Sequence, residues 1–455
     1  MLPTVMAATN AVAETEPSMS GKRICIVGKC PPLQGGTSVH TFWAARCLAL
    51  AGWEVHLVSN ALEANARYLH VMLPDDELFL SSIAPQTLRI HYTTPVPEGS
   101  FIPFTRPFAS QLLGLAHSQS SKAPFDVFVG WYLEPYGLVA SLLGKLSGAP
   151  VFLRHAGSDI GRLICEPNLR DAARLMLEEP ARILTTPLHR ETFVALGVPP
   201  ERQIHFGSTR LPDYHTSAVP PRFEIEDYRS EFRKWFSRAV EDEGVSELLA
   251  QPEIVQTNCP RIGVYGKVGR TKGSFALLRA LSDDRLLRNS FQFYTVSCGH
   301  QRALKDYFRQ LVRCEPLNHR TVCLPPLPPW RIPGFLRSLN IVCFLENRFP
   351  IQFHSPILVR EVLASGACLV CSREIVDKLS YRQNLVQGRN IIIVEDPECD
   401  EELVQVLQNI LSDPERARSI GRHGQFLSKF VEESFPEKHP IQHLLESTNE
   451  ELVHN

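Results

Sequence analysis

The sequence contains no stretch of eighteen uninterrupted apolar residues, so nothing in it reads as a bilayer span. It also lacks a charge excess of either sign. A net charge of −2 advertises neither a basic field for nucleic acid nor an acidic solubilising tail. The first twenty residues, MLPTVMAATNAVAETEPSMS, have no basic segment ahead of a continuous apolar core. They read as a flexible tail rather than a signal peptide. The 12 cysteines lack the dense pairing of a secreted disulfide scaffold, and Cys25, Cys343 and Cys368 sit inside apolar runs as reduced core residues would. Cys368 and Cys371 form a C-x-x-C with no second pair nearby, which disfavours metal or redox chemistry. A cytoplasmic, reducing location is the expectation.

What is present is an ordinary globular composition, 44% hydrophobic and 21% charged, long enough for two large domains or three smaller ones. Short apolar runs alternate with amphipathic stretches of helical length, the pattern of βαβ units with parallel sheets. In the first half RICIVG (23–28), EVHLVS (54–59), LRIHYT, FDVFVGWY, APVFLRH and ARILTTP read as strands, with helices at about 37–51 and 168–178. The stretch 216–256 breaks the rhythm with AVPPRFEIEDYRSEFRKWF and VEDEG, and reads as a connector with some helix of its own. The rhythm then resumes with RIGVYG, FQFYTVSCG, HRTVCLPP, LNIVCFLE, ACLVCS and NIIIVED, with a helix at about 356–366. From Asp400 the chain reads as helical, with acids in the first turn where the helix dipole favours them. The expected organisation is a tail (1–21), an α/β half (22–215), a connector (216–257), a second α/β half (258–430) and a C-terminal tail (431–455). Two parallel-sheet halves imply a cleft outside the carboxyl ends of their strands.

Two loops carry chemistry at those ends. After the first strand, GKCPPLQGGTSV places Gly35 and Gly36 before a helix that Thr37 or Ser38 could cap. A glycine-led helix N-terminus suits an anion, but it also serves a plain turn, and the loop lacks the G-x-G-x-x-G of a dinucleotide site. After RIGVY, the loop GKVGRTKG holds Gly266, Lys267, Lys272 and Gly273. Two lysines in a glycine-rich turn suit a diphosphate, since charge-assisted hydrogen bonds are worth roughly 1.5–3 kcal/mol each. The order of residues is not that of a P-loop.

The spacing of the second loop resembles the donor-phosphate loop of GT-B glycosyltransferases, particularly the retaining glycosyltransferase family 4. Lys267 stands where that family more often has arginine, and Lys272 where it has lysine. The stretches PPLQGGTSVHTFWAARCLALAGWEVHLVS, FDVFVGWYLEPYGLVASLLGKLSGAPVFLRHAGSDIGRL and REVLASGACLVCS are similar to further segments of the family, in the same order. The resemblance covers roughly residues 22–215 and 258–430. It implies an α/β fold of two Rossmann-like domains facing a central cleft, and transfer of a sugar from a nucleotide-sugar such as a UDP- or GDP-sugar, with retention. Lys267 and Lys272 would contact the diphosphate, with Gly35, Gly36 and Gly266 also on the donor; Glu361 would take the ribose hydroxyls, and His155 the sugar or acceptor.

The family's second glutamate, eight positions before Glu361, is here Phe353, followed by His354, Ser355 and Pro356. His354, Glu346 or nearby backbone amides are candidates for its task. Asp159 is read as a helix cap in preference to an acceptor contact. Arg360 is read either as a phosphate contact or as the ion-pair partner of Glu361. No paired histidines or cysteines have metal-ligand spacing, and no D-x-D occurs in the cleft-forming segments, so neither metal nor cofactor is expected. The acceptor is a glycan, a lipid-linked molecule or a small molecule, with peripheral membrane contact left open and nucleic acid disfavoured. Two other functions remain open: a non-catalytic nucleotide- or glycan-binding module, motivated by the missing glutamate, and a nucleotide-sugar epimerase.

Overall fold

The computed structural model describes residues 22–83, 86–95, 108–156, 159–161, 166–178, 181–217, 221–252, 259–350 and 356–453. Seven strands form the first sheet: β1 (Arg23–Gly28), β2 (Glu54–Ser59), β3 (Leu88–Tyr92), β4 (Val127–Trp131), β5 (Val151–Arg154), β6 (Ala181–Thr185) and β7 (Gln203–His205). Six form the second: β8 (Arg261–Lys267), β9 (Gln292–Cys298), β10 (Thr321–Leu324), β11 (Ile341–Phe344), β12 (Cys368–Ser372) and β13 (Ile392–Val394). Their orders are β3-β2-β1-β4-β5-β6-β7 and β10-β9-β8-β11-β12-β13, with every named pair parallel. Parallel strands covered on both faces need apolar side chains in nearly every position. The run from Ile24 to Val27 is fully buried for this reason, with Cys25 opposite His56 on one side and Phe128 on the other.

Both sheets reverse their strand order once, between β1 and β4 and between β8 and β11. Ligands of open α/β sheets bind in the crevice at such a switch point. The loops that follow β1 and β8 are the two glycine loops singled out in the sequence.

The connector and the tail are built into the halves. In residues 216–257, the helix Ile225–Ala239 buries Phe232, Trp235 and Phe236 against Phe308 in the core of the second half. The stretch 431–455, expected as a tail, contains the helix Pro440–Val453, which crosses back to the first half and buries Ile441 and Leu445 there. The C-terminal helical stretch also divides in two, at Leu411 and Pro414, because Asp413 caps a new helix through the Arg416 amide at 3.0 Å. Cys368 and Cys371 point into the cores on opposite faces of their sheet, so they cannot pair across the strand.

The helix after β1 spans Gly36–Leu50 and buries Phe42, Ala45 and Leu48 as its periodicity requires. Its start differs from the expectation: Gly35 occupies the capping position with φ 109°, while Thr37 and Ser38 lie inside the first turn. In the second half Gly273 is left-handed at φ 69°, and a Cβ there would lie 2.2 Å from the Leu345 carbonyl oxygen. That contact presses the cationic loop onto the end of β11, where the Asn347 amide donates to the Thr271 carbonyl at 3.0 Å.

Gly273→Ala should therefore lower stability by about 2–4 kcal/mol, combining left-handed strain with overpacking against backbone. Gly36→Ala meets nothing within 4 Å and should move stability by no more than about 0.5 kcal/mol. Denaturant midpoints of the two variants check the contrast.

Candidate functional site

The cationic loop leaves β8 at Gly266, turns through Arg270–Lys272, and enters the helix Ser274–Leu281. Lys267 is exposed at the strand end and makes no ion pair among the described residues. Lys272 turns inward. Its ammonium pairs with the fully buried Glu346 and sits 3.6 Å from the Phe349 ring centroid. Burial pulls the Lys272 ammonium below its ordinary value, although Glu346 opposes the change. Burial likewise pushes the Glu346 carboxyl up, against the pull of Lys272 and Lys378. Desolvation outweighs attraction in both partners, as is usual for an ion pair taken out of water.

Lys378 completes this cluster and was not singled out in the sequence. It lies 3.7 Å from Glu346 and 2.6 Å from Glu374, whose carboxylate also accepts from the amides of Arg348 and Phe349. Glu346 was a candidate for donor-sugar recognition; its carboxylate is engaged with Lys272. Arg270 turns away from both loop lysines to line a separate groove with His300, Arg302 and Arg313.

Glu361 lies in the helix Leu358–Ser365, one strand away from the loop, and is joined to it by Tyr265. Tyr265 immediately precedes Gly266, and its hydroxyl donates to Glu361 Oε2. His215 Nε2, from the chain that crosses between the halves, is 3.3 Å from Oε1. Burial would raise the Glu361 carboxyl, but His215, Tyr265 and His40 together bring it below the ordinary value. Each carboxylate oxygen keeps a second lone pair for a ligand hydroxyl. Tyr265 and His215 carried no local signal, because their partner is distant in sequence.

Arg360, beside Glu361, does something neither sequence reading anticipated. Its guanidinium makes a bidentate pair with Glu432, 2.7 Å on each arm, and donates to the Thr209 carbonyl at 2.8 Å. Glu432 also accepts from the Leu211 amide at 2.7 Å. Arg360 thus clamps the inter-half crossing to the second half.

On the opposite side, Gly35 and Gly36 are exposed, with open space where a Cβ would stand. His40, on the same helix, is within electrostatic reach of Arg360 and Glu361, which brings the helix after β1 to the Glu361 side of the second half. His155 follows β5 and is 4% exposed. Its Nε2 is 2.8 Å from the Thr185 hydroxyl, and its ring lies edge-on to His189 and close to Phe193. These contacts all belong to the first half. Its Nδ1 has no hydrogen-bond partner among the described residues, and burial holds the ring neutral.

Asp159 was expected as a cap for the following helix, but among the described residues its bonds do not run to amides two or three residues on, as a cap's would. Its carboxylate accepts the amides of Ala156 and Ile160 at 2.9 Å and that of Leu133 at 2.8 Å, tying the end of β5 to the loop after β4. Burial raises it to about 6 despite those bonds. His354 lies outside the described residues. Among the described residues, no group of three or more histidine, cysteine, aspartate or glutamate side chains could hold a metal ion, and no helix is long and apolar enough to cross a membrane.

Two parallel α/β halves with their switch-point loops facing one another constitute the GT-B fold. The particular proteins that share it were found through structure, since no family model matches the chain and no curated protein matches its sequence. Anabaena HepE, solved with UDP-glucose, is similar over 94% of this chain and 100% of its own, with a TM-score of 0.58 and 14% identity. Sucrose-phosphate synthase of Thermosynechococcus elongatus is similar over 96% and 100%, with a TM-score of 0.59 and 14% identity. A putative UDP-N-acetylglucosamine 2-epimerase of Listeria monocytogenes is similar over 94% and 95%, with a TM-score of 0.52 and 12% identity. At such identities the likeness shows the fold alone.

Glu432→Gln should leave the Arg360 guanidinium buried without its counter-charge and destabilise the protein by about 3–5 kcal/mol. Replacing both residues by methionine should recover much of that loss. Thermal and denaturant unfolding of the three proteins measures the difference.

Proposed function

We propose that this protein is a glycosyltransferase that moves a sugar from a nucleoside-diphosphate sugar to an acceptor hydroxyl, with retention and without a metal. The observation that carries this reading is the cationic loop Gly266–Gly273 at the β8/β11 switch point, joined through Tyr265 to the buried carboxylate of Glu361. Diphosphate oxygens would lie against Lys267 and Lys272, and ribose hydroxyls would donate to Glu361. Gly266 lets the backbone approach the phosphates closely. The HepE structure with UDP-glucose supports the choice of donor class.

As the bond from sugar to phosphate breaks, negative charge grows on the departing diphosphate. Preorganised cations aimed at that charge lower the barrier. A phosphate oxygen takes the proton of the attacking acceptor hydroxyl, and the new glycosidic bond forms on the face the diphosphate leaves. In the absence of donor, Lys272 is neutralised by Glu346, so an incoming phosphate competes with a carboxylate for the same ammonium. The acceptor would lie mainly on the first half, where Gly35 and Gly36 would border the donor, with the free Nδ1 of His155 available to orient a sugar hydroxyl. His354 is kept as a donor-side candidate.

The Listeria neighbour gives a specific reason to keep epimerisation as a second reading. Epimerisation changes the configuration of the sugar, whereas transfer liberates nucleoside diphosphate in step with a new glycoside. Chromatography of products from a panel of nucleotide-sugars separates the two. Nucleotide-sugar binding with no product of either kind would identify a binding module.

Lys272→Ala should weaken nucleoside diphosphate binding by about 10- to 100-fold, the loss of one charge-assisted contact, while nucleoside binding changes little. Calorimetry with both ligands checks it, and an equal loss for each would reject the phosphate assignment. Sugar transfer should persist in chelator, because lysines and helix N-termini supply the positive field; a loss restored by added metal would overturn that mechanism. His155→Ala should depress kcat much more than nucleoside diphosphate affinity. A stable variant with normal turnover would remove His155 from the site.

A further inference from the structure

The loop lysines are not the only cationic groups gathered between the halves. Arg154 ends β5 and donates from Nη1 to the carbonyls of His155, at 2.8 Å, and Leu184, at 3.3 Å. Its other guanidinium nitrogens make no bond among the described residues. The guanidinium lies 4.8 Å from the centroid of the Phe206 ring. His439 shares that aromatic wall, with ring centroids 6.1 Å from Phe206 and 6.3 Å from Trp131.

His439 stands just before the returning helix Pro440–Val453, and its Nδ1 accepts the Ile441 amide at 3.3 Å. A neutral ring that accepts at Nδ1 carries its proton at Nε2. That Nε2 has no hydrogen-bond partner among the described residues, although the residue is only 6% exposed. His40 is within electrostatic reach of both His439 and Arg154. Burial comes first in lowering the two imidazoles, to about 4 for His40 and about 3 for His439, with the Arg154 charge adding to it.

The nearby carboxylates are committed elsewhere. Asp159 accepts three backbone amides, and Glu361 is held by Tyr265 and His215. A buried donor left without an acceptor is unfavourable. Here such a donor stands beside an arginine with open N–H groups. Among the described residues, the cluster lacks a negatively charged acceptor of hydrogen bonds.

We propose that Arg154, His439 and His40 form an anion subsite on the first half's side of the cleft, which takes a phosphate or carboxylate group of the acceptor. The word acceptor rests on the glycosyltransferase reading; the anion site does not. Arg154 supplies the forked donor, His439 the Nε2–H, and His40 borders the group on the side of Glu361. The acceptor class is then a phosphorylated sugar or a uronic acid rather than a neutral one.

The test uses full-length protein carrying Lys267→Ala and Lys272→Ala, which removes the donor-side phosphate anchor. Inorganic phosphate and acetate are titrated by calorimetry at constant ionic strength, and the stronger of the two tells a phosphate from a carboxylate. Phosphate or acetate binding should persist on this background, and Arg154→Met should weaken it at least 10-fold. His439→Asn, which removes Nε2–H but keeps a capping oxygen for the Ile441 amide, should weaken it several-fold with the melting temperature little changed; it also carries the test if Arg154→Met does not fold. A hexose 6-phosphate or a hexuronate should bind at least 10-fold more tightly than the neutral hexose. Loss of all anion binding with the two lysines, or no response to either variant, would overturn the proposal. If wild-type protein binds no nucleoside diphosphate while the anion site persists, the donor reading fails and the subsite stands.

Discussion

A single buried carboxylate sets how the two halves meet. Asp76, in the helix Pro74–Ile83 of the first half, is 0% exposed. Its oxygens accept from Arg331 Nε at 2.6 Å, Trp330 Nε1 at 2.8 Å, the Leu73 amide at 3.0 Å and the Tyr228 hydroxyl. These partners come from the first half, the connector and the second half. A buried charge is tolerable only when paired and fully hydrogen-bonded, so the three segments can satisfy Asp76 in one arrangement only. Beside it, the Val71 amide donates to the Pro326 carbonyl at 2.8 Å across the same junction.

The other fastenings act in the same register. Arg360 and Glu432 hold the crossing segment at Thr209 and Leu211, and Arg210 Nε reaches the Phe435 carbonyl at 3.0 Å. The chain then returns through Pro440–Val453 to pack beside the helix after β1. Held this way, the halves bring His40 and Glu361 within electrostatic reach, so the two facing loops share one charge field. In the cationic loop Lys272 already has a carboxylate beside it, Glu346. Arg154 and His439 make no hydrogen bond or ion pair with a carboxylate among the described residues.

The strands were legible because parallel, doubly covered strands demand continuous apolar runs, and RICIVG and EVHLVS match β1 and β2 residue for residue. β7, a three-residue strand reading Gln203–His205, went unnoticed because two of its residues are polar and an edge strand needs less apolar surface. The loop Gly266–Gly273 was legible for a local reason as well: left-handed backbone calls for glycine within the turn itself. The cap of the helix after β1 was misplaced because Gly35 takes the position that Thr37 or Ser38 would ordinarily fill.

What the sequence determined alone is therefore what neighbouring residues decide among themselves: periodicity, turn dihedrals, and the composition of a cationic glycine loop. The pairing of Arg360 with Glu432 and of Tyr265 with Glu361, and the placing of Arg154 and His439 against the same Phe206 ring, join residues from about 70 to nearly 300 positions apart. No local pattern encodes such partners, because desolvation and charge pairing depend on which segments packing brings together. The Pro440–Val453 helix makes the point most clearly: its amphipathic face looks like that of any surface helix, and only the groove beside the helix after β1 gives it a place.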